Sequence, residues 1–152
     1  ERWAELEASD NVFALVVMAQ IRAKVTDDAE KLKGWKFRLI RMLYERGYER
    51  PLILQLFRLI DWMIRLPEGL EADFRQELYA YEEQQRMPYI TTVEQAGIQR
   101  GEAKTLLRQL TRKFGPDCAA RYRDRIEAAD VEQLDAWLDN ILTAETPETI
   151  FH

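Results

Sequence analysis

Apolar residues recur every three or four positions along most of the chain, a spacing typical of α-helices that bury one face. The clearest segments run from about Asp28 to Arg46, from Leu52 to Leu66 and from Glu68 to Arg86. The run Val12–Ile21 is apolar and partly β-branched, so a buried strand is an alternative there. We favour a helix because no second strand candidate is present to pair with it. The pattern therefore predicts an all-α protein built as a helical bundle.

Polar residues and glycine mark where these helices begin and end. The stretch Ser9–Asn11 supplies candidate N-caps for the helix that follows it. Gly47 comes directly after a helical segment and fits the C′ position, where a left-handed backbone is needed. Thr91 and Glu94 have the spacing of a capping box, so a further helix should begin near Thr92.

The pattern divides the chain into three parts. Residues 1–90 form a larger helical unit, and residues 91–104 are thinly apolar, as expected for an exposed connector helix. Residues 105–152 become amphipathic again and predict a small C-terminal helical subdomain.

One predicted helix, Asp28 to Arg46, is apolar on two sides. Such a helix is either central in a bundle or covered by a partner. A partner-covered helix would make its aromatic and aliphatic residues an interface for self-association. The candidate interface residues are Trp35, Phe37, Ile40 and Tyr44.

Opposite charges are concentrated in two neighbouring segments. Residues 31–50 are basic and residues 68–86 are acidic, so they could face one another within the chain or across a dimer. We favour two solvated faces, because exposed ion pairs add little stability.

The residues needed for common catalytic chemistry are scarce. His152 is the only histidine and Cys118 the only cysteine, which disfavours nucleophilic dyads and His/Cys metal sites. The string Glu102-Ala103-Lys104 is the E-x-K element of metal-dependent nucleases, and Asp28-Ala29-Glu30-Lys31 has the related form D-x-E-K. That element works from a strand, whereas on a helix positions i and i+2 diverge by about 200°. We predict no catalytic site, metal or cofactor in this chain.

A basic side is predicted on the helix that follows the connector. The net charge of -5 argues against general nucleic-acid binding by the whole chain. Because of this local basic side, DNA contact is kept as an alternative function. Tyr122 could stack on a base, but Tyr122 and Ile126 have the spacing of a core pair. The candidate DNA-contact residues are Arg100, Lys104, Arg108, Arg112, Lys113, Arg121, Arg123 and Arg125.

Cysteine content and hydropathy bear on the protein's location. A single cysteine excludes an internal disulfide framework and fits a reducing cytosol, so we expect a cytoplasmic protein. No signal peptide is visible, and the apolar segment Leu52–Leu66 is too short and too charged to span a bilayer. Because the chain opens with Glu1 rather than Met, we expect a fragment or a processed product.

Several strings, taken in order, resemble one family. The strings are Trp3–Asn11, Phe13–Ala19, Leu43–Tyr48, Ile60–Trp62, Leu66–Pro67, Tyr81–Glu83, Met87–Glu94, Leu107–Leu110 and Lys113–Gly115. With these strings the chain looks like the region after the catalytic core of Rpn-type proteins, bacterial recombination-promoting nucleases often labelled transposases. From about Leu106 onward it looks like the small C-terminal domain of unknown function that often ends such chains.

The resemblance implies a Mg²⁺-dependent DNA endonuclease of the PD-(D/E)XK type in the full protein. It also implies that the catalytic strands lie N-terminal to this chain, so no catalytic residue is carried over. Val12 departs from the family pattern, which commonly has proline there. The resemblance implies that this chain is a non-catalytic accessory region that serves self-association or regulation of the nuclease core, with a second copy or its own nuclease domain as partner. DNA binding is the alternative function.

Overall fold

The computed structural model describes residues 2–152 and contains eight α-helices and one short 3₁₀ helix. No β-strand is present among these residues, which confirms the all-α prediction. Within the same range, none of the helices combines the length and apolar character that a bilayer crossing requires. The helices are α1 (Arg2–Ala8), α2 (Phe13–Val25), α3 (Ala29–Glu45), α4 (Arg50–Met63), α5 (Glu68–Gln85), α6 (Tyr89–Phe114), α7 (Pro116–Glu127) and α8 (Val131–Thr143), followed by the 3₁₀ turn Pro147–Thr149.

The chain divides into two compact units, Glu1–Ile90 and Thr91–His152. Helix α6 begins at Tyr89, earlier than the start near Thr92 that the capping-box spacing predicts. It then continues without interruption to Phe114. The predicted connector and the first part of the predicted C-terminal subdomain are therefore one helix.

Helix α3 lies at the centre of the first unit and packs against α2, α4 and α5. This position explains why its sequence is apolar on two sides. Leu39 and Leu43 of α3 are fully buried with Leu15 of α2, Ile60 of α4 and Phe74 of α5. Burial of such side chains contributes about 1.5–3 kcal/mol each, which makes this core the main source of the unit's stability.

Side-chain caps fix two of the helix starts. The Asp28 carboxylate accepts a hydrogen bond of 3.0 Å from the backbone N–H of Lys31 at the start of α3. At the start of α8, Asp130 and Gln133 form a reciprocal capping box. Gly47 has a φ of 70°, which confirms the left-handed position predicted after α3.

The start of α2 and the end of α5 differ from the simple sequence rules. Residue Val12 occupies the N-cap position of α2 with helical dihedral angles, and its side chain cannot cap. Asn11 instead accepts a hydrogen bond of 3.0 Å from the backbone N–H of Phe13, so the predicted cap acts one position earlier. Arg86 ends α5 in a left-handed conformation with a φ of 55°, for which the sequence offers no glycine or asparagine signal.

The second unit has a separate core made by α6, α7 and α8. Leu110, Ile126 and Leu134 are fully buried there. The predicted final helix is a single 3₁₀ turn, after which Ile150 and Phe151 fold back into this core. The segment is held because Asn140 donates a hydrogen bond of 2.9 Å to the carbonyl of Ile150.

Candidate functional site

The structure places two predicted interface residues inside the first core. Ile40 is fully buried and Tyr44 is 8% exposed, so neither can form part of an exposed interface. Phe37 is half-buried and meets the ring of Tyr81 edge-on at 6.0 Å. This corrects the interface prediction at these positions, because the second apolar side of α3 is covered by helices of the same chain.

The fourth predicted interface residue, Trp35, belongs to a stack that joins three helices. The guanidinium carbon of Arg22 lies 3.6 Å from the ring centroid of Trp35 and 4.0 Å from that of Trp3. Cation–π contacts of this kind are attractive because the ring face is negative. The ring of Trp35 is therefore covered by Trp3 of α1 and Arg22 of α2, and little of its face is left for a partner.

A buried carboxylate lies beside Tyr44. The Tyr44 hydroxyl donates to Glu82, and the backbone N–H of Ile90 donates to the same carboxylate oxygen at 2.8 Å. Burial, followed by the hydrogen bond to Glu82 and its charge, raises the pKa of Tyr44 far above its ordinary value. This arrangement joins α3 to the end of α5 and has a structural role.

The opposite charges of α3 and α5 face one another within this chain. The ammonium nitrogen of Lys33 lies 2.8 Å from a carboxylate oxygen of Glu77. Lys36 is fully buried and lies 2.7 Å from both Asp61 and Glu71. The interpretation as two solvated faces is therefore wrong for Lys36, whose partners come from α4 and α5.

Asp61 receives a second cation from α5. The Arg75 guanidinium donates two hydrogen bonds to it, of 3.2 and 2.9 Å. Burial alone would raise the pKa of Asp61, but the hydrogen bonds and charges of Arg75 and Lys36 outweigh it and lower that pKa. Both carboxylates of this cluster are therefore engaged by cations of the same unit.

The E-x-K and D-x-E-K strings lie on or beside helices, as the periodicity predicts. Glu102 and Lys104 are in the middle of α6, and Asp28 caps α3 through the backbone of Lys31. Across residues 2–152, no group of three or more histidine, cysteine or acidic side chains is arranged to hold a metal ion.

Helix α2 exposes a row of apolar side chains that we call the α2 ridge. Phe13, Val17, Ile21 and Val25 are 63%, 42%, 38% and 62% exposed. They follow one another at intervals of four, so they form one continuous ridge along the helix. Contiguous exposed apolar surface of this kind marks interaction sites on soluble proteins.

The α2 ridge is not among the predicted interface residues, although a signal was present. The segment Val12–Ile21 is apolar at every position except Gln20, and a helix of that kind needs cover on more than one side. The structure buries one side through Leu15 and Met18 and leaves the other open. Helix α4 also has two exposed apolar side chains, Leu59 and Trp62.

The second unit contains a groove of about 610 Å³ between α6 and α7, which we call the basic groove. Four of the eight predicted DNA-contact residues line it. Ala103 and Leu107 contribute apolar surface between them, and Glu127 is the acidic member of the lining. The basic residues of the groove are Arg100, Lys104, Arg108 and Arg123.

Two other predicted DNA-contact residues are used for packing within the second unit. Lys113 donates a hydrogen bond of 2.7 Å to the carbonyl of Ile141 near the end of α8. Arg125 donates one of 3.0 Å to the carbonyl of Phe151, and its guanidinium also lies over that ring. Both cations stabilise carbonyl groups of this chain, which removes them from the candidate binding surface.

The remaining two cations lie outside the basic groove. Arg112 lines a shallow depression with Lys113 and the exposed Leu142. Arg121 lies near Cys118, where burial raises the pKa of the thiol and the positive charge partly opposes that change. Tyr122 stacks on Phe151 with the ring centroids 4.4 Å apart, so it is a core residue, as its spacing with Ile126 predicts.

Comparisons with known proteins give no relative for this chain. No family model, curated protein or solved structure matches it. The site is therefore interpreted from its own residues, and the resemblance to Rpn-type nucleases stays a prediction.

Proposed function

We propose that this chain is a non-catalytic association module that pairs with a second copy through the α2 ridge. The observation that carries the proposal is the unbroken exposure of Phe13, Val17, Ile21 and Val25 along one helix face. The core of the first unit is complete without these side chains, since the opposite face of α2 is buried within it. The exposed face of α2 is therefore not needed to complete the core of that unit.

The geometry of the α2 ridge suits a symmetric partner. Residues at intervals of four form the ridges that interlock in the commonest class of helix packing, with a crossing angle of about -50°. A two-fold axis through the middle of the ridge brings Val17 against Ile21 of the second copy, and Phe13 toward its Val25. Closed two-fold pairs of this type are the commonest oligomers of soluble proteins.

The strength of such pairing can be bounded. Burying the remaining exposed part of each ridge side chain contributes about 1 kcal/mol, and two copies bury eight of them. Association itself has an entropic cost that weakens this, so we expect a dissociation constant between about 1 and about 100 μM.

The resemblance to Rpn-type nucleases gives this association a purpose within the same proposal. If a PD-(D/E)XK core precedes the chain in the full protein, pairing two copies brings two such cores together. Cleavage of both strands of a duplex needs two cleavage events, and paired cores supply one for each strand. In this proposal the chain itself carries out no chemical step.

The test is the oligomeric state of a ridge variant, measured by size-exclusion chromatography with light scattering. Val17→Lys/Ile21→Lys places two charges at the centre of the ridge, and we expect a folded monomer. The matched control Ile98→Lys/Leu142→Lys adds the same charge at two exposed apolar positions of the second unit and should dimerise like the unaltered chain. Far-UV circular dichroism checks the fold of both variants. A ridge variant that folds and still dimerises would overturn the proposal.

A further inference from the structure

We infer that the basic groove binds the sugar-phosphate backbone of a nucleic acid. The inference is independent of association through the α2 ridge, because the groove lies entirely within the second unit.

The cations of α6 form an ordered row. Arg100, Lys104 and Arg108 follow one another at intervals of four, so they share one side of the helix with a rise of about 6 Å from each to the next. Within residues 2–152, none of the three forms an ion pair or donates a side-chain hydrogen bond to the protein. Lys113 and Arg125 differ from them because each donates to a carbonyl group of this chain.

The local charge of the groove is opposite to that of the whole chain. The chain carries a net charge of -5, but the groove has four cations and the single carboxylate of Glu127. That carboxylate lies 3.5 Å from Arg123 on the α7 side, which leaves the row on α6 uncompensated. A concentrated positive potential on an acidic protein attracts a polyanion at this groove and repels it elsewhere.

The lining favours backbone contact over recognition of bases. No aromatic side chain lines the groove, so stacking on bases is not provided. The uncharged polar groups are engaged: Gln99 donates to the carbonyl of Ala129, and Thr111 donates to that of Leu107 at 2.9 Å. A row of evenly spaced cations fits a ligand with evenly repeated negative charges, and phosphate contacts of this kind do not depend on sequence.

The experiment is fluorescence anisotropy of the whole chain with labelled single-stranded and duplex DNA of about 16 nucleotides. Three phosphate contacts predict a slope of log affinity against log salt of about -2 for the single strand and about -3 for the duplex. The variant Arg100→Gln/Lys104→Gln/Arg108→Gln should bind at least about tenfold more weakly at low salt, with a slope near zero.

A control variant separates the groove from net charge. Lys24→Gln/Lys31→Gln/Arg58→Gln removes the same three charges from exposed positions of the first unit and should bind within about twofold of the unaltered chain. Equal losses in both variants would overturn the inference, as would an unaltered chain that does not bind DNA at low salt.

Unlabelled polyglutamate should compete poorly with labelled DNA for the basic groove. Competition equal to that of unlabelled DNA would identify an acidic polypeptide as the ligand and would also overturn the inference.

Discussion

At the scale of single residues, Lys36 shows how a charge can be essential inside a core. Its ammonium group is fully buried and lies 2.7 Å from both Asp61 and Glu71. Replacement by Met would leave two neighbouring carboxylates with less compensating charge. Breaking a buried pair in this way costs about 3–5 kcal/mol.

We therefore expect Lys36→Met to lower the free energy of unfolding by about 3–5 kcal/mol in urea titrations. Lys33→Met is the matched control on the same helix, because its partner Glu77 is half exposed. Loss of that exposed pair should lower the free energy of unfolding far less. Equal losses in the two variants would contradict the special role assigned to Lys36.

The same cluster predicts a dependence of stability on pH. Because the pKa of Asp61 is lower in the folded state, its carboxylate binds fewer protons there than in the unfolded chain. The stabilisation is present above the unfolded pKa of about 3.9 and is lost as the pH falls through the folded pKa. Unfolding free energies measured from pH 7 down to about 3 should fall less steeply in Asp61→Asn than in the unaltered chain. Identical pH profiles would refute this assignment.

At the scale of elements, two glycines should respond to alanine in opposite directions. Gly97 lies within α6, and an added Cβ there meets no atom within 4 Å, so Gly97→Ala should stabilise by about 0.5–1 kcal/mol. Gly115 has equal space, but its φ of 95° strains any other residue, so Gly115→Ala should destabilise by about 1–2 kcal/mol. Melting temperatures from circular dichroism provide the comparison. A loss of stability in Gly97→Ala would show that another surface approaches α6 there.

The positions of the helices can be predicted from the local pattern of apolar residues, but which segment packs on each apolar face cannot. Periodicity identifies α3 as a helix with two apolar sides, yet the sequence alone cannot say whether its own neighbours or a partner cover Ile40 and Tyr44. The structure assigns that cover to the same chain and leaves α2 with the open face. Both outcomes depend on packing between segments distant in the sequence, which periodicity does not report.

The candidate site shows the same division between pattern and packing. A spacing of four residues is enough to place Arg100, Lys104 and Arg108 on one side of a helix. Nothing in the sequence separates them from Lys113 and Arg125, whose carbonyl partners lie about 26–28 residues away in the chain and meet them only through the fold.

At the scale of the whole molecule, the two units carry different surfaces. The first presents the apolar α2 ridge, and the second presents the basic groove. Added salt weakens phosphate contacts because it screens the charges. It does not weaken apolar contacts in this way, and salts that are excluded from the protein surface strengthen them. Association should therefore persist at salt concentrations that abolish DNA binding.

The most direct test of the account is the molar mass of the unaltered chain by sedimentation equilibrium, from about 1 to about 200 μM, a range that extends above the expected dissociation constant. Pairing through the α2 ridge predicts a mass that rises with concentration from 18.0 kDa toward twice that value and no further. A mass that stays at 18.0 kDa across the series would contradict self-association and leave the exposed ridge without a second copy as its partner.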